Sequence, residues 1–543
     1  MGVADDGPYI LIAQRLATTG HILYNGPTTP ILGWQLYLAA AFIKLFGFSF
    51  TTVRMTTLLV AMITAFVLQR TLVRANINER NATLATLALV LSPMYLLLSV
   101  TFMTDIQGMF AVVICLYGCL RALQSPTSQG AIGWLCFAIA SNAVCGTSRQ
   151  IAWLGTLVIV PSTLWLLRRQ RVVLLAGTSA LLVGVLFIFG CTLWFLKQPY
   201  NVHEHLLVDS YPVGYIVADY FRTFLDGVFL LLPITILFVP AIRRSTWRSI
   251  AVSSVVLLCY LLLALHARHV NIYSVLEPTL QGQWVDPHGI FDNPGLHGAA
   301  PIFLNTGVRV LLTIASLAAL GGVITTLMAN ASADPIETIP TTVSWQQLSV
   351  LLAPYTIAYL LILIPRATIS PGILDRYLLG FLFVPLLYLL RCYQERLHPR
   401  LPFATTLLVG AMAIYGIAVT HNTFALYRAR VALAAELHSN GVPDTAVDNG
   451  WEYNMEVELQ HASYLNDPRI TMPAHAYVPV PDHSDCATFW HDRTPHINPL
   501  YGVSFDPNAC AGPAPFAPVN YSRWLASKPG TLYVVRYKAP SNQ

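Results

Sequence analysis

Long apolar runs separated by short polar segments dominate this sequence. Runs of about 17–25 residues are long enough to cross a bilayer, and they occur at 53–73, 82–100, 106–123, 131–147, 150–167, 172–195, 225–241, 249–266, 304–329, 346–364, 374–391 and 401–420. A helix is the natural form of such a run, because lipid offers no partner to unpaired backbone N–H and C=O groups. The pattern therefore predicts an all-α polytopic membrane protein with about 12 transmembrane helices.

A further run at 30–47 is apolar but carries Gln35 and Lys44, so hydropathy leaves open whether it spans. The basic residues decide between the alternatives, because cytoplasmic loops carry an excess of Lys and Arg. If 30–47 lies in the membrane interface, all the basic clusters fall on one face; they lie at 70–80, 121, 168–171, 243–248 and 391–400. One acidic loop, near Asp334, falls on the same face and is the exception. We predict juxtamembrane helices in the first outer loop, with Asp5, Asp105 and everything after residue 420 on the extracytoplasmic face.

Composition excludes two broad classes of protein. The chain has 543 residues, of which 55% are hydrophobic and only 10% charged, which is too apolar for a soluble globular protein. The net charge of +5 comes from clusters between apolar runs, which is a sign of topology, so we expect no nucleic-acid partner. The bilayer is the expected surrounding.

Residues 421–543, hereafter the tail, are richer in Pro, Asp, His and Asn than the rest of the chain. We predict three parts: an outer-face catalytic loop with juxtamembrane helices at 1–52, a transmembrane domain at 53–420, and a small extracytoplasmic domain formed by the tail. Cys486 and Cys510 are the cysteines that lie in this polar region, and they can form a disulfide if the tail faces an oxidising compartment.

A pair of carboxylates, Asp5-Asp6, precedes Pro8-Tyr9 and an amphipathic segment. A solvated polar start to the chain is the simpler alternative. The pair is followed, however, by an interfacial helix headed by Pro30 that ends in Leu45-Phe46-Gly47. This arrangement resembles the glycosyltransferase C superfamily, and more closely the bacterial relatives of the dolichyl-phosphate-mannose protein mannosyltransferases and of the lipid A aminoarabinose transferase. The first residue of the acidic pair is the catalytic one in that family, which implies this role for Asp5 and a supporting one for Asp6.

Three later segments extend the resemblance. Asp105 matches a second acidic position of the family, although a carboxylate favoured by the helix dipole is the alternative. Arg149 matches a basic residue that contacts the lipid phosphate, and a charge between apolar runs costs about 2.5–3.5 kcal/mol if it faces lipid. Arg376, in Asp375-Arg376-Tyr377, matches an Arg-Tyr pair at the head of a late helix, with a local salt bridge as the alternative.

The sequence also departs from the family pattern. Relatives carry a spanning helix before the acidic pair, so the resemblance leaves open whether this chain begins earlier. Some relatives place a metal-binding acidic residue before the Pro of the juxtamembrane helix, whereas this chain has Thr28-Thr29-Pro30. We therefore predict no definite cofactor. The resemblance suggests a divalent metal, but the acidic residue that binds it in some relatives is missing here.

The resemblance implies transfer of a sugar from a polyprenyl-phosphate donor, with inversion, to an acceptor that the sequence leaves open between protein, lipid and glycan. Asp5 is the candidate general base. Arg149 is the candidate for the donor phosphate, because its planar guanidinium matches phosphate oxygens, and Arg376 and Lys197 are weaker candidates for it. Asp6 and Asp105 are expected to position other groups.

The alternative function is a transporter or flippase of a lipid-linked sugar. A transporter is expected to carry ionisable groups near mid-membrane, in broken helices. The candidate residues here lie at the outer ends of the predicted spans instead. We therefore predict a glycosyltransferase of the cell (inner) membrane, with its active site on the extracytoplasmic face.

Overall fold

The fold is that of a computed structural model, which describes residues 1–202, 213–244, 247–268, 288–289, 295–328, 343–367, 373–480, 486, 488 and 490–537. Helices dominate this part of the chain. In chain order they are α1 (Asp6–Thr19), α2 (Gly33–Phe46), α3 (Phe50–Arg74), α4 (Glu79–Val90), α5 (Pro93–Ser99), α6 (Asp105–Leu123), α7 (Ser128–Cys145), α8 (Val160–Leu166), α9 (Arg171–Leu196), α10 (Val213–Leu230), α11 (Leu232–Thr235), α12 (Trp247–Arg268), α13 (Thr306–Met328), α14 (Trp345–Ala367), α15 (Leu379–Arg396), α16 (Phe403–Ser439) and α17 (Trp451–Ala462).

The prediction of an all-α polytopic membrane protein is confirmed. Among the described residues, 8 helices are long and apolar enough to cross a membrane, and up to 10 if each of two bent pairs counts as one span. Two of the predicted runs, 150–167 and 249–266, fall on shorter apolar helices, Gln150–Leu166 and Trp247–Cys259. The count of 12 therefore stays a prediction.

The first two helices are short, with 14 residues each, and their juxtamembrane position stays a prediction. The run 30–47 forms α2, which has 14 residues and is shorter than a span of about 20 residues. Helix α2 packs against α1, α3 and α7. The start of α2 is tight, because a Cβ on Gly33 would lie 2.2 Å from Oγ1 of Thr147. Because Gly33 has no side chain, the start of α2 lies directly against the chain segment that carries Arg149.

The segment between α7 and α8 is irregular. It consists of two 3-10 turns (Gly146–Ser148 and Gln150–Trp153) and a π-helical turn (Gly155–Ile159). The buried Asn142 side chain organises it: Nδ2 donates to the carbonyls of Ala111 and Ala152, and Oδ1 accepts from N–H and O–H of Thr156. Backbone groups that leave the helical pattern thereby keep partners. A break of this kind lets a polar side chain project in a direction that a regular helix would not allow.

The tail continues from the longest helix of the bundle. Helix α16 crosses residue 420 without a break and packs on a four-stranded sheet of order β1-β2-β4-β3. The strands are β1 (Val447–Asp448), β2 (Tyr501–Ser504), β3 (Val519–Tyr521) and β4 (Gly530–Arg536). β1 pairs with β2 in parallel, and the other pairs are antiparallel. Cys486 and Cys510 form the disulfide that the sequence allowed.

Candidate active site

The two carboxylates of the acidic pair have different surroundings. Asp6 is fully buried and holds a two-point ion pair with Arg54, with Nε at 2.8 Å and Nη2 at 3.1 Å. Its oxygens also accept from the backbone N–H groups of Val3 and Phe102. Asp6 therefore ties the chain start to α3. Asp5 is 42% exposed, so it is the member of the pair that can meet a substrate.

Asp5 lies between a cation and an indole. Its Oδ2 is 3.5 Å from Nη2 of Arg376, and its Oδ1 accepts from Nε1 of Trp451 at 3.4 Å. Both contacts are long for hydrogen bonds. The Asp5 carboxylate thus has one oxygen toward the bundle and one toward the tail.

Asp105 organises the cations. It is buried at the first turn of α6, where the helix dipole favours a negative charge. Its Oδ1 lies 2.9 Å from Nη1 of Arg149, and its Oδ2 lies 3.8 Å from Nη1 of Arg376. One carboxylate therefore holds two guanidinium groups that are more than 220 residues apart in sequence. The positioning role of Asp105 in the reaction stays a prediction.

The irregular segment before α8 orients the side chain of Arg149. Its backbone is extended (φ −154°, ψ 106°) between the two 3-10 turns, and Nη1 donates to Oγ1 of Thr104 at 3.1 Å. The stem of Arg149 lies against Gly108, where a Cβ would come within 2.7 Å of Cδ. A glycine at this position makes room for the arginine.

A cavity of about 410 Å³ lies beside these charged groups. Arg149, Arg366 and Arg376 line it, and none of the described residues that line it is acidic. Apolar side chains line it as well: Phe195, Leu196, Val202, Ile362 and Leu363. Guanidinium groups together with apolar side chains match a ligand that carries a phosphate on a hydrocarbon chain.

Uncharged polar side chains also line the cavity. Tyr9 and Thr104 both face the cavity. Burial raises the pKa of the Tyr9 phenol, and the nearby Asp5 carboxylate adds to the shift. Tyr9 therefore keeps its proton and is able to donate a hydrogen bond into the cavity.

The structure brings together four of the sequence-predicted site residues: Asp5, Asp105, Arg149 and Arg376. Asp6 lies next to them but points to Arg54. Lys197 follows the end of α9 and is exposed, and it does not line the cavity although its neighbours Phe195 and Leu196 do.

Sequence reasoning did not single out Arg366. It follows Pro365 at the end of an apolar run, and a charge at that place is a signal that could have marked it. The guanidinium of Arg366 lies 5.7 Å from the centre of the Tyr377 ring, and that of Arg149 lies 5.0 Å from the same ring. Both cations therefore lie close to the Tyr377 ring.

The tail contributes Trp451 to the surroundings of Asp5. From sequence, the segment 448–454 has a surface turn as its simpler interpretation, and its aromatic and amide side chains make a sugar or acceptor site the alternative. Trp451 instead begins α17 and is buried. The helix is anchored by an ion pair in which Arg430 Nη1 lies 2.9 Å from Glu452 Oε2, with both side chains fully buried. Glu452 also accepts from the hydroxyl of Tyr427.

Metal ligands are sparse near the cavity. Within the described ranges, the one group of three side chains that could hold an ion is His297, Cys486 and Cys510. Both sulfur atoms of that group belong to the disulfide, so they are not available as thiolate ligands. The group lies in the tail region, apart from the residues that line the cavity.

Residues 29–195 match the sequence profile of the family described as dolichyl-phosphate-mannose-protein mannosyltransferase. This match confirms the resemblance that was expected from the motifs. It covers α2 to α9, and with them Asp105 and Arg149. No curated protein matches the chain.

Two solved structures are similar to the chain. The crystal structure of ArnT from Cupriavidus metallidurans in the apo state is 16% identical, with 83% of this chain and 79% of that chain covered and a TM-score of 0.38. The crystal structure of the same protein bound to undecaprenyl phosphate is 17% identical, with 81% and 76% covered and a TM-score of 0.40.

Proposed function

We propose that this protein is a membrane glycosyltransferase that transfers a sugar from a polyprenyl-phosphate donor to an acceptor on the extracytoplasmic face, with inversion at the anomeric carbon. The observation that carries the proposal is a cavity lined by three arginines and by apolar side chains, one of these arginines being paired with the exposed carboxylate of Asp5. The match to the mannosyltransferase family supports the same reaction class.

The cavity suits the donor better than a free sugar. A polyprenyl phosphate needs cations for its phosphate and a hydrophobic surface for the first units of its chain. Arg149 and Arg376 are held by Asp105 before a ligand arrives, so their guanidinium groups need little reorientation during the reaction. Preorganised donors of this kind stabilise the charge that develops on a leaving phosphate.

Asp5 is the general base of the proposed reaction. It takes the proton from the acceptor hydroxyl or amine while the acceptor forms its bond to the anomeric carbon. The bond from that carbon to the phosphate oxygen breaks, and polyprenyl phosphate leaves as an anion bound by the arginines. Attack and departure on opposite sides of the carbon invert its configuration.

Two observations support an extracytoplasmic site. The basic clusters of the sequence favour a topology in which Asp105 and Arg376 lie at the ends of their spans that face away from the cytoplasm. The disulfide in the tail is typical of an oxidising compartment. Because Trp451 of the tail contacts Asp5, the tail and the catalytic carboxylate lie on one face.

The test is transfer of label from a panel of radiolabelled polyprenyl-phosphate sugars in membranes that contain the full-length protein. We expect Asp5→Asn to lower the transfer rate by about 10²–10⁴-fold, the usual contribution of a general base. Asp506→Asn makes the same chemical change at an exposed tail carboxylate, so it serves as the matched control and is expected to keep wild-type transfer.

Arg149→Ala and Arg149→Lys separate charge from geometry. We expect the alanine variant to lose donor affinity and transfer, and the lysine variant to keep part of both, because an ammonium supplies charge without the planar donors. Full activity of Asp5→Asn would refute the assignment of the base. Absence of transfer from every donor, together with movement of labelled lipid between leaflets, would favour a flippase.

A further inference from the structure

Trp490 is an exposed indole next to the proposed active site. Its side chain is 46% exposed, and its backbone adopts a left-handed conformation (φ 52°, ψ 44°). A bulky residue seldom adopts this conformation, which costs energy and persists only where the surroundings fix it. Trp490 is one of several non-glycine residues with a positive φ in the described part of the chain.

Trp490 is connected to Asp5 through Trp451. The two indole rings meet edge to face, with centroids 4.8 Å apart and an interplanar angle of 86°. The Nε1 atom of Trp451 donates to Asp5 Oδ1. The exposed ring thus lies one indole beyond the catalytic carboxylate, on the tail side.

The two oxygens of Asp5 divide the site into two halves. Oδ2 faces Arg376, which lines the cavity assigned to the donor phosphate. Oδ1 faces Trp451. Because direct displacement places acceptor and leaving group on opposite sides of the anomeric carbon, the acceptor belongs on the side of Trp451 and Trp490.

A charged network begins at the exposed indole. The guanidinium of Arg493 lies over the Trp490 ring, 5.3 Å from its centre, and is paired with Asp467. Asp467 also forms an ion pair with Arg469 at 2.7 Å. An exposed aromatic ring next to charged hydrogen-bonding groups is suited to a molecule with apolar C–H faces and a hydroxyl rim, which describes a pyranose ring.

We propose that Trp490 and Trp451 form an acceptor subsite, and that the group bound there is a saccharide. The proposal rests on the proposed function and adds the chemical class of the acceptor. A sugar stacked on Trp490 directs one hydroxyl or amino group past Trp451 to Asp5, where its proton is removed.

The first test measures binding without catalysis. Full-length protein containing 5-fluorotryptophan, in lipid nanodiscs, is titrated with methyl glycosides of the common hexoses and N-acetylhexosamines and followed by fluorine NMR. Trp490→Phe and Trp524→Phe assign the two resonances. Trp524 is the matched control, because it is an equally exposed tail indole (52%) stacked on His421 instead.

We expect at least one glycoside to shift the Trp490 resonance in a saturable manner and to leave that of Trp524 unchanged. No shift with any glycoside, or equal shifts at both indoles, would overturn the proposal. A shift produced by Ser/Thr peptides and by no glycoside would overturn the saccharide assignment in favour of a protein acceptor.

The second test uses kinetics with the glycoside that binds. We expect Trp490→Ala to raise the KM for this acceptor by about tenfold or more, as for removal of a central aromatic anchor, with little change in the KM for the donor. Trp490→Phe keeps an aromatic face and is expected to restore most of the affinity. Equal changes in both KM values would indicate a structural role and overturn the subsite.

The two proposals fail in different ways. If the wild-type protein transfers no sugar from any donor, the proposed function is wrong whatever the NMR titration shows. If Asp5→Asn is inactive and Trp490→Ala has the acceptor KM of the wild type, the subsite is wrong and the proposed function stands.

Discussion

Replacing Gly108 by alanine tests whether the position of Arg149 matters for the reaction. Gly108 lies in α6, one turn after Asp105. An added Cβ would lie 2.7 Å from Cδ and 3.2 Å from Cβ of Arg149. Ordinary carbon contacts are about 3.5–4.0 Å, so the arginine stem has to move by about 1 Å.

The displacement weakens the contacts of the guanidinium without removing its charge. In the wild-type protein, Arg149 Nη1 lies 2.9 Å from Asp105 Oδ1. At an effective dielectric constant of about 20, a charge pair that opens from about 3 to about 4 Å loses ~1.5 kcal/mol, which is a factor of about ten. Loss of alignment with the donor phosphate adds to this, so we expect transfer to fall by about 10–100-fold.

Stability should respond differently from activity. Alanine is favoured over glycine inside a helix by about 0.5–1 kcal/mol, and Arg149 has room to move because it lines the cavity. We therefore expect Gly108→Ala to unfold at a temperature close to that of the wild type while its transfer rate falls.

The assay is initial-rate transfer from the polyprenyl-phosphate donor, together with thermal unfolding of the same preparation in detergent. Gly133→Ala in α7 is the matched control, since its new Cβ would meet no atom within 4 Å, and it is expected to keep full transfer. Wild-type transfer by Gly108→Ala would show that the fixed position of Arg149 does not contribute to catalysis.

Three further substitutions separate structural from chemical roles. Asp6→Asn leaves Arg54 without its buried partner, so we expect a loss of about 3–5 kcal/mol in unfolding free energy; an unchanged melting temperature would contradict the structural role of Asp6. Trp451→Phe keeps an aromatic ring but removes the N–H that donates to Asp5. Because one hydrogen bond contributes about 1 kcal/mol, we expect kcat to fall about fivefold. A change confined to the donor KM would contradict this role of the Trp451 hydrogen bond. Lys197→Ala should keep the transfer rate of the wild type, because Lys197 is exposed and does not line the cavity; a large loss would restore it as a phosphate ligand.

The sequence was informative about individual charges that the membrane makes expensive. Arg149 drew attention because a guanidinium between apolar runs needs a partner or an aqueous cavity, and the structure supplies Asp105 and the cavity. Asp105 itself remained ambiguous in sequence, because a helix N-terminus alone accounts for a carboxylate. Its contacts with two arginines depend on how α6, α15 and the segment before α8 pack together.

Hydropathy alone determined that this protein is a multi-pass helical membrane protein, because a backbone in lipid has to satisfy its own hydrogen bonds whatever the neighbouring helices do. The tertiary structure decided which polar residues share a site. Asp5 meets Arg376 and Trp451 across more than 370 residues of chain. Such contacts arise from the packing of helices far apart in sequence, and no local period or spacing encodes them.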